Sequence, residues 1–185
     1  QRQMCIRDSG GNAAFSVMAN TLRGVYGTDV LLATANSFTG SVLQADYNQK
    51  MAASMIMPNG LMSRQRTMTG AELKETVRAF VEGCEGGFVP FNRGSLPVVS
   101  GIAVEVKEAS GSYTLVGITR NGQPLGDNDT VTVTCLATEK QMEALLASDS
   151  GTSAGEDTWV KNTWRDHVSG GGAALAEPEN YMTLR

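Results

Sequence analysis

The chain has 185 residues, of which 41% are hydrophobic and 18% are charged, and its formal net charge is −4. This composition is ordinary for a globular domain and excludes a disordered or collagen-like chain, and the length fits one domain with its own core. The basic residues are scattered, so the clustered positive charge of a nucleic-acid-binding surface is missing.

The first residues, QRQMCIRDS (1–9), are expected to be foreign to the fold. They are similar to the translated read-through of a sequencing adaptor, and they have neither the long apolar stretch nor the cleavage site of a signal peptide. We therefore expect residues 1–9 to pack poorly and residues 10–185 to form one domain. On this interpretation the native upstream sequence, with any signal peptide or preceding domain, is missing.

Two apolar patterns predict a helix and then a buried strand. From Ala14 the apolar residues recur at steps of three and four, which predicts an amphipathic helix that Gly24 or Gly27 ends. These apolar residues are Phe15, Met18, Leu22 and Val25. The run DVLLATA (29–35) predicts a strand covered on both faces of its sheet, and the polar segment NSFTGSV (36–42) predicts a loop.

A capping pattern predicts the next helix. Thr69 and Glu72 have the spacing of a capping box, and apolar residues then follow on one face until Gly83. These residues are Leu73, Val77, Phe80 and Val81. The pattern therefore predicts a helix that starts next to Thr69 and buries this face.

The second half of the chain combines predicted strands and helices. GIAVEV (101–106), SYTLVGI (112–118) and TVTVTC (130–135) predict an antiparallel meander with turns at Asn121-Gly122 and Gly126-Asp127. Helices are predicted around Met142 to Leu146 and from Trp159 to Val168, with a flexible loop, SDSGTSAGED (148–157), between them. The expected class is α/β or α+β with a mixed sheet.

Four motifs occur in a fixed order between residues 26 and 133. They are YGTDVLLATANSFTGSV (26–42), MPNGLMSRQRTMTGAEL (57–73), VVSGIAVEV (98–106) and ITRNGQPLGDNDTVTV (118–133). In this order and at these separations they resemble the C-terminal domain of the 5′-nucleotidase family. The resemblance implies a mixed sheet with an antiparallel meander packed by helices.

The resemblance also implies a division of labour. In that family a separate N-terminal metallophosphoesterase domain holds two divalent metal ions that generate the attacking hydroxide, and the C-terminal domain binds the nucleotide. This chain has one histidine, His167, which we interpret as a solvent-facing helix residue. We therefore expect no catalytic residue, metal ligand or cofactor in this fragment, and the metal pair in the missing domain. The family also implies an exported protein: periplasmic, cell-surface or secreted.

The resemblance implies a set of substrate-binding positions, and the residues at these positions can be compared with the family's motifs one at a time. Asn36 stands at the asparagine that opens the glycine-rich loop, and Gly40 retains one of its glycines. Ser41 replaces the arginine that faces the phosphate, and Asn59 replaces the aromatic residue that stacks on the base, whereas Gly60 is retained. A second aromatic residue and a GGDG motif are missing from CLATEKQMEALL (135–146), so binding of the usual ligand should be weak.

Two functions remain open at this stage. The first is the substrate-binding domain of a 5′-nucleotidase-like phosphohydrolase in nucleotide catabolism, which is inactive as an isolated fragment. Its partners would be a nucleotide or related phosphoester and the N-terminal domain of the same chain, and we expect neither nucleic acid nor a membrane segment. The alternative is a degenerate, non-catalytic binding or scaffold domain of an exported or cell-surface protein. Metallophosphoesterase motifs in the upstream DNA would favour the first.

Other conspicuous residues have structural interpretations. Cys84 and Cys135 can bridge in an oxidising compartment, although buried free thiols are the preferred interpretation. Trp159 and Trp164 are predicted to anchor the last helix in the core, and Ser100-Gly101 is predicted to bend a strand. The methionines of one stretch are predicted to fill gaps in the core. They are Met51, Met55, Met57, Met62 and Met68.

Overall fold

The computed structural model describes residues 13–34, 37–38, 54–56, 60–82, 97–110, 112–146, 151–169 and 182–184. Within these ranges the helices are α1 (Ala13–Tyr26), α2 (Gly70–Glu82), α3 (Glu139–Leu145) and α4 (Val160–Ser169). The strands are β1 (Val30–Ala33), β2 (Leu61–Thr69), β3 (Val98–Ser100), β4 (Ala103–Ala109), β5 (Ser112–Arg120), β6 (Gln123–Pro124), β7 (Thr130–Thr138), β8 (Thr152–Ser153), β9 (Thr158–Trp159) and β10 (Met182–Leu184). The predicted adaptor segment, residues 1–9, lies outside the described ranges.

The strands form two sheets. The larger sheet has the order β3-β1-β7-β2-β8, and β9 also pairs with β2. In it β1 runs parallel to β7 but antiparallel to β3, and β2 runs antiparallel to β7. The smaller sheet has the order β10-β4-β5-β6, in which β4, β5 and β6 form an antiparallel meander. The predicted class, with a mixed sheet and an antiparallel meander, is confirmed.

The predicted third strand of the meander belongs to the larger sheet instead. Residues 130–135 do form a strand, but β7 inserts between β1 and β2, and β6 is the third strand of the meander. The physical reason is burial, because Val133 and Cys135 lie in one core and Leu136 in the other. A strand that is apolar on both faces is stabilised at the centre of a covered sheet rather than in an exposed meander.

Both faces of the larger sheet are buried, as predicted for β1. Val30 and Leu32 lie in a core that α2, α3 and the smaller sheet complete, whereas Leu31 and Ala33 lie in a second core under α1 and α4. Alternate residues of a strand point to opposite faces, so one short apolar run contributes to both cores.

The end of α1 is closed by glycine in a left-handed conformation. Gly27 has φ +65°, the amide of Gly27 donates to the carbonyl of Gly24, and the amide of Thr28 donates to the carbonyl of Arg23. These two bonds form a Schellman motif, which satisfies carbonyls at the helix end. Val25 is 38% exposed, so it lies off the predicted apolar face.

The predicted capping box of α2 is confirmed. The amide of Thr69 donates to Oε2 of Glu72 at 2.7 Å, and the amide of Glu72 donates to Oγ1 of Thr69 at 3.3 Å. The predicted apolar face of α2 is buried as well. Local signals thus set both the start and the orientation of this helix.

The segment before α4 differs from its prediction. The predicted flexible loop contains β8, an edge strand paired with β2. Trp159 lies in β9, paired with Met62, and is 51% exposed, so the prediction that it anchors the last helix is wrong. Trp164 is 1% exposed and does anchor α4 in the core. Backbone pairing at the sheet edge holds Trp159 outside the helix.

Sulfur-containing residues lie mostly where expected. Met55 and Met68 are buried and Met62 is half-buried, whereas Met51 and Met57 fall outside the described residues. Cys135 is a buried free thiol, and its burial raises its pKa to about 12. Cys84 is outside the described part of the chain.

None of the helices in the described ranges has the length and apolar character needed to cross a bilayer.

Candidate functional site

One edge of the larger sheet is the expected place for a ligand. The parallel strands β1 and β7 both end there, at Ala33 and Thr138, and the antiparallel strand β2 begins there, because Leu61 pairs with Thr138. Ligands of open α/β sheets bind outside the carboxyl ends of the strands. We call this place, defined by Ala33, Thr138 and Leu61, the carboxyl edge.

The two chain segments that carry the predicted site residues are joined close to this edge. Directly after β1, the amide of Ser37 donates to the carbonyl of Thr34 at 2.9 Å, and the two hydroxyl oxygens lie 2.9 Å apart. Phe38 then forms an antiparallel bridge with Ile56. The interval 39–41 follows Phe38 and the interval 57–59 follows Ile56, so both begin from one paired point.

Of the predicted substrate-binding residues, the structure describes only Gly60. It is an exposed turn residue directly before β2, with open space where a Cβ would lie. Asn36, Gly40, Ser41 and Asn59 fall outside the described residues, so their placement stays a prediction. Among the described residues beside them, Phe38 pairs with Ile56, and the hydroxyl groups of Thr34 and Ser37 are in hydrogen-bond contact.

The residues after β7 cap a helix. Thr138 is the N-cap of α3, and the Gln141 side chain accepts a hydrogen bond from the Thr138 amide at 2.9 Å, which completes a capping box. Met142 and Leu146 are buried in the core. This is the segment in which the sequence lacks the second aromatic residue of the family's motif, and the residues present here cap and pack α3 instead.

The described ranges contain no group of three or more His, Cys, Asp or Glu side chains that could hold a metal ion. His167 lies on α4 and is half-buried, and its Nε2 is shielded from solvent without a hydrogen-bond partner among the described residues. Its expected position on a helix is therefore right, but the expectation that it faces solvent is wrong. α4 packs this side chain partly against the protein.

A second polar site lies at the opposite end of β1. Asp29, directly before β1, forms an ion pair with Arg120 at the end of β5, with Oδ1 and Nη2 2.5 Å apart. The other carboxylate oxygen of Asp29 accepts hydrogen bonds from the amide and the hydroxyl of Thr132, each at 2.9 Å. One carboxylate thus connects β1, β5 and β7.

A second arginine borders the same site. Nε of Arg23, in the last turn of α1, donates to Oγ of Ser100 at 2.8 Å, and this hydroxyl donates to Oδ1 of Asn20 at 2.6 Å. Nη1 of Arg23 also donates to the backbone carbonyl of Asp29 at 3.4 Å. These bonds hold the guanidinium of Arg23 beside the start of β1.

The pKa of Asp29 is lowered from its ordinary value. Burial alone would raise this pKa, but the hydrogen bonds from Thr132 and the positive charges of Arg120 and Arg23 together outweigh the burial. The carboxyl group is therefore ionised at neutral pH.

Asp29, Arg120 and Arg23 line an open cleft of about 510 Å³. Its walls come from the connections between α1 and β1, between β3 and β4, and between β5 and β6. We call it the arginine cleft. Sequence reasoning missed it, because Asp29 was interpreted only as the start of a strand. Its partner Arg120 is 91 positions away, and no local pattern joins the two.

Comparisons with known proteins support the fold. The sequence matches no protein-family model, and no curated protein matches it at a significant level. A candidate 5′-nucleotidase from Staphylococcus aureus superposes with a TM-score of 0.71 at 12% identity, over 96% of this chain and 37% of that protein. The 5′-nucleotidase precursor of Thermus thermophilus gives 0.63 at 14% identity, over 94% and 35% of the two chains. The sulfate thiohydrolase of the same organism gives 0.60 at 12%, over 93% and 32%.

The chain therefore has a fold found within 5′-nucleotidases, as the sequence resemblance implied. It spans only about a third of the length of these proteins, with 37%, 35% and 32% of their chains covered. Identities this low establish the shared fold alone. A thiohydrolase has the same fold, so the fold alone does not specify a nucleotide substrate.

Proposed function

We propose that this chain is the substrate-binding domain of a 5′-nucleotidase-type phosphohydrolase that acts in nucleotide catabolism. The observation that carries the proposal is the carboxyl edge: in a fold shared with 5′-nucleotidases, the two segments expected to bind substrate begin at one paired point, Phe38 and Ile56. That is the position in which open α/β sheets bind ligands. The chain would thus grip a nucleotide or a related phosphoester.

Under this proposal, binding and chemistry belong to different domains of one exported protein. A divalent metal pair in an N-terminal domain would activate water and stabilise both the attacking and the leaving oxygen. The present domain would orient the substrate: the side-chain amide of Asn36 would contact it, and Gly40 and Gly60 would allow close approach of the backbone. Hydrolysis would depend on both domains.

Two departures from the family's motifs set the expected strength of binding. Ser41 stands in place of the arginine that would face the phosphate, and Asn59 stands in place of an aromatic residue. Stacking of a base on an aromatic ring contributes about 1–3 kcal/mol to the free energy of binding, and a guanidinium group is the preferred bidentate hydrogen-bond donor to phosphate. We therefore expect weak binding of nucleotides rather than none.

These departures also support a second candidate, a non-catalytic binding or scaffold domain of an exported or cell-surface protein. The shared fold of the sulfate thiohydrolase supports the wider point that this scaffold accommodates more than one substrate class. A binding measurement separates the two candidates.

The test restores the two missing groups. Replacing Asn59→Phe and Ser41→Arg together should restore one aromatic ring that stacks on the base and one guanidinium that pairs with the phosphate. Together they should improve the free energy of nucleotide binding by about 2–4 kcal/mol. This corresponds to at least about a tenfold gain in affinity for AMP. Isothermal titration calorimetry of AMP with the parent chain and with the double variant measures the gain.

A matched control carries the same two residue changes away from the carboxyl edge. Asn128 and Ser153 are both exposed; Asn128 lies in the turn before β7, and Ser153 lies on β8. Asn128→Phe with Ser153→Arg should leave AMP affinity unchanged. If the first double variant folds but gains nothing over this control, the loops do not form a nucleotide cleft, and the scaffold function replaces the enzyme function.

A further inference from the structure

The arginine cleft is separate from the proposed nucleotide site. Asp29 precedes β1 and Thr34 follows it, so the cleft and the carboxyl edge lie at opposite ends of one strand. A strand of this length spans about 13 Å. A ligand in the cleft would therefore not contact a small ligand at the carboxyl edge.

The charge of the cleft is positive. The described residues that line it contribute two guanidinium groups, Arg23 and Arg120, and one carboxylate, Asp29. Asp29 neutralises one of the two positive charges, because it is paired with Arg120. The remaining charge favours an anion over a neutral or cationic ligand.

Hydrogen bonds to the described residues leave most arginine donors of the cleft unused. A guanidinium has five N–H donors. The intramolecular bonds in place use Nε and Nη1 of Arg23, and Nη2 of Arg120. Arg120 remains 31% exposed, so its donors are accessible from the cleft. The bonds to Ser100 and Asp29 hold the guanidinium groups in fixed positions, which lowers the entropy cost of binding.

The backbone around the cleft leaves room for a ligand. Gly27, Gly101, Asn121 and Gly122 all line the cleft, and all have positive φ, from 52° to 86°. The Schellman motif at Gly27 engages the carbonyls of Arg23 and Gly24, which weakens the repulsion that the end of α1 would exert on an anion. At Gly27 and Gly122 the space where a Cβ would lie is open, so these two connections add little bulk beside the arginines.

We propose that the arginine cleft binds the phosphate or carboxylate group of a small anionic metabolite, with Arg23 and Arg120 as the contacting side chains. Guanidinium groups pair with both oxyanions through parallel N–H bonds. The volume of about 510 Å³ falls within the usual range for small-molecule sites, so the rest of a small metabolite fits beside its anionic group.

The test adds a negative charge without removing any existing bond. Ala103 is an exposed residue on β4 that lines the cleft, and Ala109 is exposed on the same strand but does not line it. We expect Ala103→Glu to weaken the binding of inorganic phosphate to the full chain at least about fivefold, because its carboxylate competes for the arginines. Ala109→Glu carries the same charge change and should bind phosphate as the parent does.

Nuclear magnetic resonance of the arginine side chains reports the site directly. Phosphate should shift the Nε–H signals of Arg23 and Arg120 in a saturable way in the parent and in Ala109→Glu. Acetate, titrated separately, distinguishes the two oxyanion classes: stronger saturation by phosphate assigns a phosphoryl ligand, and the reverse assigns a carboxylate. Circular dichroism verifies that both variants are folded.

Two outcomes would overturn the proposal. One is the absence of saturable shifts at either arginine with both anions. The other is equal phosphate binding by Ala103→Glu and Ala109→Glu. Neither outcome bears on AMP binding at the carboxyl edge, so the nucleotide proposal is tested separately.

Discussion

Gly101 shows how a single residue brings two parts of this fold into contact. It follows β3 with φ +86°, and a Cβ built on it would lie 2.0 Å from the backbone oxygen of Asp29. The sequence predicted a strand bend at Ser100-Gly101, and the positive φ confirms it. The partner of the bend was not predictable, because Asp29 is distant in sequence and no local pattern reports a backbone contact.

Two glycine-to-alanine substitutions should therefore have opposite effects. Gly101→Ala should lower the free energy of unfolding by about 2–4 kcal/mol, because it combines a strained φ with a backbone clash. Gly24 lies within α1 with open space around it, so Gly24→Ala should raise the free energy of unfolding by about 0.5–1 kcal/mol. Urea denaturation of both variants measures the difference. A decrease in the free energy of unfolding below about 0.5 kcal/mol for Gly101→Ala would show that the backbone of Asp29 can shift to accept a Cβ at little cost.

At the scale of elements, local signals predicted helices better than strand partners. The capping box of Thr69 and Glu72 and the apolar spacing of α2 depend on neighbours within four residues, and both are confirmed. The prediction for Trp159 is wrong because its position depends on a strand that is distant in sequence. Its spacing from Trp164 is compatible with a helix, but pairing with Met62 on β2 takes it into a strand. Short-range patterns do not include a partner so far away in sequence.

The two tryptophans provide a matched pair for this interpretation. Trp164→Ala should lower the free energy of unfolding by about 3–5 kcal/mol, because it leaves a cavity under α4. Trp159→Ala should lower the free energy of unfolding by less than about 1 kcal/mol, because Trp159 is about half exposed to solvent. Chemical denaturation of the two variants gives both values. Equal losses would mean that Trp159 also packs in the core.

At the scale of the whole molecule, the order of motifs predicted the fold, and the structures of nucleotidases match it. The sequence did not predict that β7 belongs to the larger sheet rather than to the meander. The alternating pattern of TVTVTC fits an edge strand and a central strand equally well, because it does not show what covers the second face of the strand. The candidate sites also differ in how far the sequence predicts them. Motif positions predict substrate-binding residues on the segments next to the carboxyl edge, and this stays a prediction because only Gly60 among them is described. The arginine cleft depends on pairs such as Asp29 and Arg120 that only the fold brings together.

The isolated chain should release no phosphate from AMP or from UDP-sugars. The proposed chemistry needs a metal pair that activates water, and we assign that pair to another domain. Phosphate release, measured with and without manganese or zinc, should stay at the background rate. Metal-dependent turnover by a clean preparation would place the catalytic groups in this chain and contradict the division of labour.

The position of β7 also constrains how the chain can fold during synthesis. β1 and β2 do not pair with each other. Each pairs with β7, which comes last of the three strands in the chain. A nascent chain therefore emerges from the ribosome with the apolar strand β1 lacking its parallel partner until residues near Thr138 have been translated. Contacts of such long sequence separation form slowly, and an apolar strand with one unpaired edge is prone to aggregation, even though β3 pairs with the other edge of β1. Ribosome stalling before Thr138 would leave this domain dependent on chaperones.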